Sequence, residues 1–254
     1  MDAQPDICSL ALPEFLRALG KEEIKPGGGY ATKTAVTRLE LRSNEHLLLI
    51  GPGAANTAVY VAMTSRVEAA ALVSSEDERV TCDDVQLSRH LSQPLGSPEK
   101  MPLDNARFDA ALIESTLAHL EPARQAVVMR EVARVLKPGG RVALHELAWR
   151  QAPTPEISSR LREIWGAPVY PHVVRGWWDL LESAGFSSVN AELAVISYFT
   201  RKGMETDEGE KAINLFHSAF ENPRYFERFT AAYRELHENR RYYGVVIATA
   251  TRQA

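Results

Sequence analysis

At 254 residues and a formal net charge of −4, with a pI near 6.0, the chain has no cationic surplus for nucleic acid or an anionic bilayer. Apolar residues at 45% and charged residues at 24% make an ordinary globular mixture, enough for one large domain or one with an inserted cap. Cys8 and Cys82 are too few for a disulfide framework and lack metal spacing, and no apolar run approaches the ~20 residues of a membrane span.

The opening, MDAQPDICSLALPEFL, is acidic and proline-broken, with no basic start of a signal peptide. The expectation is a soluble, cytoplasmic protein. A helical piece is predicted near residues 10–20, then a flexible turn at Gly27, Gly28 and Gly29, then a helix over ATKTAVTRLEL. HLLLI reads as a buried strand, because a continuous apolar run of this length suits a strand covered on both faces. It enters Gly51-Pro52-Gly53, and a helix is predicted to start at Asn56 or Thr57.

VEAAALV and RFDAALIES are predicted strands, with a polar and irregular stretch at 76–102 between them. PARQAVVMREVARVL is amphipathic at three- and four-residue spacing and should stop at the Lys-Pro-Gly-Gly turn. RVALHELAW is the next strand. Four prolines in 151–172 suggest a cap insertion. A helix over VRGWWDLLESAGF, a strand from SVNAELA, a charged helical stretch near 205–240 and a last strand, YYGVVIATATR, follow. Alternation of strands and helices argues a parallel sheet, made mixed by that closing strand.

LLLIGPGAA, RFDAALIESTLAHL, VVMREVARVLKPGGRVALHE and WWDLLESAGF stand in the order and spacing of four motifs. The chain thereby resembles the class I S-adenosylmethionine-dependent methyltransferases, in particular the small-molecule branch with the ubiquinone/menaquinone and arsenite methyltransferases. The resemblance spans about residues 24–250. It implies a Rossmann-like α/β fold: a seven-stranded, mostly parallel sheet with helices on both faces. One domain over 1–254 is expected, with an N-terminal helical lid (1–45) and cap insertions at 151–172 and 203–240. The implied function is methyl transfer from S-adenosylmethionine to a small molecule, without nucleic acid, membrane or metal, in a chain that could form a homodimer.

The resemblance also implies the cofactor residues. Gly51, Pro52, Gly53 and Ala55 fall on the glycine loop, Ser75 and Glu76 at the second strand's end, Ser97, Pro98 and Glu99 on the third motif, and Glu114 and Ser115 at the fourth. Leu49, Ser74 or Ser75, and Ser97 stand where the family usually carries acids. The alternative is therefore a degenerate methyltransferase fold that no longer holds S-adenosylmethionine in the usual way, serving as a scaffold or a non-methylating enzyme. An aspartate at 49 is expected to strengthen cofactor binding. Tyr30, His119 and Glu146 are the catalytic candidates, Glu146 because open α/β sheets bind ligands at the C-terminal strand edge. Trp165, Tyr170, His172, Trp177 and Trp178 either wall an apolar pocket or pack on the sheet. A dinucleotide fingerprint needs a third glycine where Asn56 stands.

Overall fold

Leu47 to Ile50 are all buried, because strands lie on both sides of them and helices over both faces. The structure, a computed structural model, describes residues 6–80 and 88–253, so Cys82 lies outside the described residues. β1 (His46–Ile50) pairs in parallel with β2 (Glu68–Leu72), which pairs with the short β3 (Leu91–Ser92). On its other side β1 meets β4 (Phe108–Glu114), and β4 meets β5 (Leu136–Trp149). The two-residue β6 (His172–Val173) pairs with β5 off the main path. β7 (Phe186–Ala194) and β8 (Tyr243–Arg252) complete the order β3-β2-β1-β4-β5-β8-β7. β8 is antiparallel to both of its neighbours. Seven strands therefore lie on the main path, as expected, and the closing strand makes the sheet mixed.

Alternation sorts β1 between two cores. Leu48 and Ile50 join the larger one, whereas Leu47 and Leu49 face a smaller one built largely of alanines. Six of those alanines come from α2 (Gly28–Arg38) and α3 (Ala54–Ser65), the others from β2, β4 and β5. Both helices start earlier than the sequence suggested. Gly28 already opens α2, and Gly53, at φ 71, takes the cap position of α3 in place of Asn56 or Thr57. The glycine loop curls directly into the helix, so no polar cap is needed there.

α4 (Pro122–Val135) buries Val128, Met129 and Val132 on the opposite face. The Lys-Pro-Gly-Gly segment, expected as a turn outside the strand, lies within β5 as a bulge. Leu136 pairs with Phe108 and Arg141 with Ala110, so four residues oppose Asp109. Gly139 supplies the positive φ of 76 that this bulge requires. α6 (Val174–Ser183) buries Trp177, which packs edge-on against His172, their ring centroids 4.9 Å apart. The 151–172 segment holds α5 (Pro155–Trp165). The late helical stretch resolves into α7 (Arg201–Asp207), α8 (Ala212–Glu221) and α9 (Pro223–Glu238). Among the described residues, no helix is long and apolar enough to cross a membrane.

The N-terminal part, with α1 (Leu12–Ala18), is fastened by polar groups as well as by packing. Arg228 of α9 donates to the carbonyls of Ile7, Cys8 and Leu10. Beyond α1, the buried Lys21 ammonium meets the Glu208 carboxylate at 2.7 Å, and that carboxylate also accepts the N–H groups of Glu22 and Glu23. Tyr198 Oη donates to the Ile24 carbonyl, and Gly29 N–H donates to Asp207 at 3.0 Å. Residues 21–29 are thereby held against the C-terminal edge of the sheet.

Candidate active site

The glycine loop is shaped by two different demands. A Cβ on Gly51, at φ 127, would lie 2.0 Å from the Glu114 carbonyl oxygen and 2.8 Å from Thr116 Oγ1. Only glycine lets β1 and β4 end so close together. A Cβ on Gly53 would meet no atom within 4 Å, because that residue opens onto a cleft. The cleft has a volume of about 550 Å³. Ile50, Gly51, Pro52 and Gly53 form its floor, and Leu72, Ser74, Glu78, Gly96 and Pro98 one end. Ser115, Thr116 and His119 form the opposite polar side, and the N-terminal part closes it with Ala11, Pro13, Glu14, Arg17, Ile24 and Pro26.

Five of the expected cofactor residues thus share the cleft: Gly51, Pro52, Gly53, Pro98 and Ser115. Ser115 has φ 46, and its buried Oγ lacks a hydrogen-bond partner. A strained backbone carrying an unsatisfied hydroxyl marks this turn as a place where function, not stability, sets the conformation.

The other six are placed elsewhere. Ala55 is buried on the inner face of α3. Ser75 and Glu76 do not line the cleft, and Glu76 pairs with Arg79 on the surface at 2.7 Å. The acid at this end of the cleft is Glu78, which accepts from Ser74 N–H at 2.8 Å and Ser74 Oγ at 2.6 Å. Three acids in SSEDE cannot be ranked by spacing; the short helical turn Glu76–Glu78 decides which one faces in. Ser97 Oγ accepts the Glu99 N–H, and Glu99 binds Arg124 through both oxygens at 2.5 and 3.1 Å.

Glu114 points behind the glycine loop. Its carboxylate accepts from Thr32 Oγ1 at 2.5 Å and from His145 Nδ1 at 3.0 Å, with Thr57 Oγ1 at 3.4 Å and the Lys25 ammonium at 3.5 Å. Burial pushes its pKa up, but the ammonium, the imidazole and the threonine outweigh this and hold it at about 2. His145 Nε2 accepts the Gly27 N–H at 3.1 Å, so the proton of its neutral form sits on Nδ1 and points at Glu114. Leu49 lies opposite Leu112, two residues before Glu114 on the same face of the sheet. The chain therefore carries a carboxylate on this face after all, on β4 instead of β1.

The catalytic candidates separate cleanly. Tyr30 is 57% exposed on α2, under the Lys202 ammonium, and does not line the cleft. Glu146 is fully buried; its two oxygens accept the backbone N–H groups of Thr116, Leu117 and Ala118 at 2.9, 2.9 and 3.1 Å. Burial nevertheless pushes its pKa up to about 7. Only His119 reaches the cleft. Its ring lies against Trp165, centroids 5.9 Å apart, and burial lowers its pKa, which keeps the imidazole neutral. None of the aromatic residues at 165–178 lines the cleft: Trp165 and Trp177 are buried in the larger core, with Trp178 packed against it. Among the described residues, no group of three His, Cys, Asp or Glu side chains is placed to hold a metal.

Residues 48–144 match the family model described as a methyltransferase domain. The chain is 28% identical over 197 residues to an O-methyltransferase of Aspergillus sclerotiorum, covering 72% of this chain and 74% of that one. In fold it is similar to the phosphoethanolamine N-methyltransferase 2 of Haemonchus contortus in complex with S-adenosyl-L-methionine. That likeness has a TM-score of 0.72 at 16% identity, over 95% of this chain and 57% of the other. The [4+2]-cyclase SpnF matches with a TM-score of 0.68 at 20% identity, over 89% and 80%. Residues 48–144 thus carry a methyltransferase domain, and the chain resembles the class I S-adenosylmethionine-dependent methyltransferases. The domain match supports methyltransferase activity, and S-adenosylmethionine is the cofactor that the resemblance implies.

Proposed function

We propose that this enzyme methylates a hydroxyl oxygen on a small, largely apolar molecule, with His119 receiving the hydroxyl proton. One observation carries the reading: a half-buried imidazole with a lowered pKa lines the same cleft as the glycine loop. Its resemblance to a named O-methyltransferase supports oxygen as the acceptor. When bound, the cofactor supplies an electrophilic methyl group on a sulfonium sulfur.

The residues present fit that cofactor. Gly53 leaves open space above the loop, Ser115 lines the wall beside it, and Glu78 offers a carboxylate that would suit a pair of ribose hydroxyls. Gly96 and Pro98, at the same end of the cleft as Glu78, would flank the cofactor's adenine. Ala11, Pro13, Ile24 and Pro26 make most of the remaining wall apolar, which suits a largely apolar substrate, while Glu14 and Arg17 add a charged pair of groups to it. The chain's main contribution is positioning, because in-line displacement needs aligned reactants more than covalent help. His119 adds the removal of one proton as the acceptor oxygen forms its new bond to carbon.

Titration calorimetry with S-adenosylmethionine and S-adenosylhomocysteine tests the cofactor, and absence of heat at millimolar ligand would overturn it. Labelled-methyl transfer to a panel of phenols and alcohols tests the acceptor. His119→Gln should lower kcat by roughly 10²- to 10⁴-fold with cofactor affinity nearly unchanged. The acid limb of kcat/KM should fall below pH 6.5, because burial lowers the His119 pKa from that value. A His119→Gln enzyme of unchanged kcat would remove the imidazole from the reaction.

A further inference from the structure

The turn carrying Ser115, Thr116 and His119 runs into a short 3-10 helix, Leu117–His119, whose own hydrogen bonds leave the N–H groups of Thr116, Leu117 and Ala118 to be met from outside it. Ser115 sits at φ 46, which costs a non-glycine residue free energy, and its hydroxyl is buried without a partner. Thr116 Oγ1 donates to the Glu114 carbonyl and packs where a side chain on Gly51 would have to go. Such a turn would relax unless something outside it offset the strain. Gln125 Nε2 and Tyr170 N–H bind the turn's carbonyls at Leu117, Leu120 and Ala118, while its N–H side is held by the Glu146 carboxylate on β5, which collects three successive N–H groups.

The geometry points to Glu146 as the positioning residue of the cleft's polar wall. By fixing residues 116–118 it sets the positions of Ser115 and His119 in the cleft wall and keeps Thr116 pressed on the glycine loop. It touches neither substrate nor cofactor: every hydrogen bond it makes is to backbone N–H. This role rests on the cofactor reading given above, since the cleft it shapes is the one assigned to S-adenosylmethionine. Charge-assisted hydrogen bonds to one carboxylate suit the task, being short and directional. A glutamine of the same length could serve Thr116 and Leu117 through its oxygen, but would set an N–H against the N–H of Ala118.

The test compares wild type with Glu146→Gln, using S-adenosylhomocysteine as the probe, well below both unfolding midpoints. Glu146→Gln should bind about tenfold more weakly, the loss expected when one hydrogen-bonded wall shifts. In ligand-free protein, the amide signals of 115–118 and the His119 ring signals should move, while those of β2 stay. Leu215→Ala, a packing change on the distant α8, controls for stability alone and should leave the affinity unchanged. If Glu146→Gln does not fold, Glu146→Asp keeps the charge one methylene short and should show the same weakened binding and the same moved signals.

Wild-type affinity in a folded Glu146 variant, or equal weakening in Leu215→Ala, would overturn the inference. Should the wild type itself bind no S-adenosylhomocysteine, the cofactor reading fails, and the ligand-free signals then decide the positioning role. Unmoved 115–118 and His119 signals would end it.

Discussion

Leu49 stands where related sequences carry an acid, yet it is only 1% exposed and packed among Ala31, Ala54, Ala55 and Leu112. An aspartate there would bury a carboxylate in an apolar cluster, on the sheet face that already carries Glu114. The expectation drawn from the motif alone is thereby reversed. Leu49→Asp should cost on the order of 3 kcal/mol in urea unfolding and bring no gain in S-adenosylmethionine affinity. Stronger binding in a stable Leu49→Asp protein would contradict this. The titration of Glu114 gives a second residue-level prediction. Its folded pKa of about 2 lies below the ordinary 4.5, so the stability it contributes is complete above pH 4.5 and drains as pH falls towards 2. Glu146 works in the opposite sense: its folded value of about 7 means the native state holds the extra proton, and stability falls as pH rises from 4.5 to 7. Chemical unfolding across pH should therefore show a steeper acid limb for wild type than for Glu114→Gln. Parallel limbs would mean that Glu114 is not the group responsible.

At the scale of elements, the segment between α1 and α2 forms the cleft wall through Ile24 and Pro26, but its anchor is Glu208, far along the chain. Glu208→Ala would strand the buried Lys21 ammonium and free two N–H groups, a loss of about 3–5 kcal/mol. Hydrogen exchange should quicken across 21–29 and not in β1; unchanged exchange across 21–29 would argue against the anchor. Nothing in the sequence near Lys21 announces that partner. What the sequence does announce is whatever has a strong local period. The run HLLLI, the amphipathic helix before Lys-Pro-Gly-Gly and the order of strands could all be read, because burial imposes those patterns over many residues. β3 and β6, at two residues each, leave too short a trace to detect. The cleft was legible where a backbone demand fixes the residue, as at Gly51 and Gly53. It was not legible where a turn selects one of three neighbouring acids, as at Glu78, or where a distant segment supplies the wall, as with Glu14 and Arg17.

The whole molecule couples ligand to fold, since the cleft draws its walls from the N-terminal part and from the ends of β1, β2 and β4. S-adenosylhomocysteine at a hundred times its Kd should add about 2.7 kcal/mol of stability. For a chain of this size that corresponds to a Tm rise of roughly 5–10 °C. Gly53→Val should fold, at a cost of about 1–2 kcal/mol for its left-handed backbone, and show no such rise, because its side chain would fill the cleft. A ligand-induced rise that survives in Gly53→Val would place the ligand elsewhere.

The antiparallel β8 has a consequence for how the protein comes into being. It lies between β5 and β7, so β7 touches the rest of the sheet only through a strand synthesised about fifty residues later. On the ribosome, β5 and β7 must each wait with an open edge while α7, α8 and α9 emerge. Unpaired edges of that kind invite pairing with other chains. The nascent protein is thus most vulnerable to aggregation in the interval between its seventh and eighth strands, and a chaperone acting during synthesis would find its substrate there.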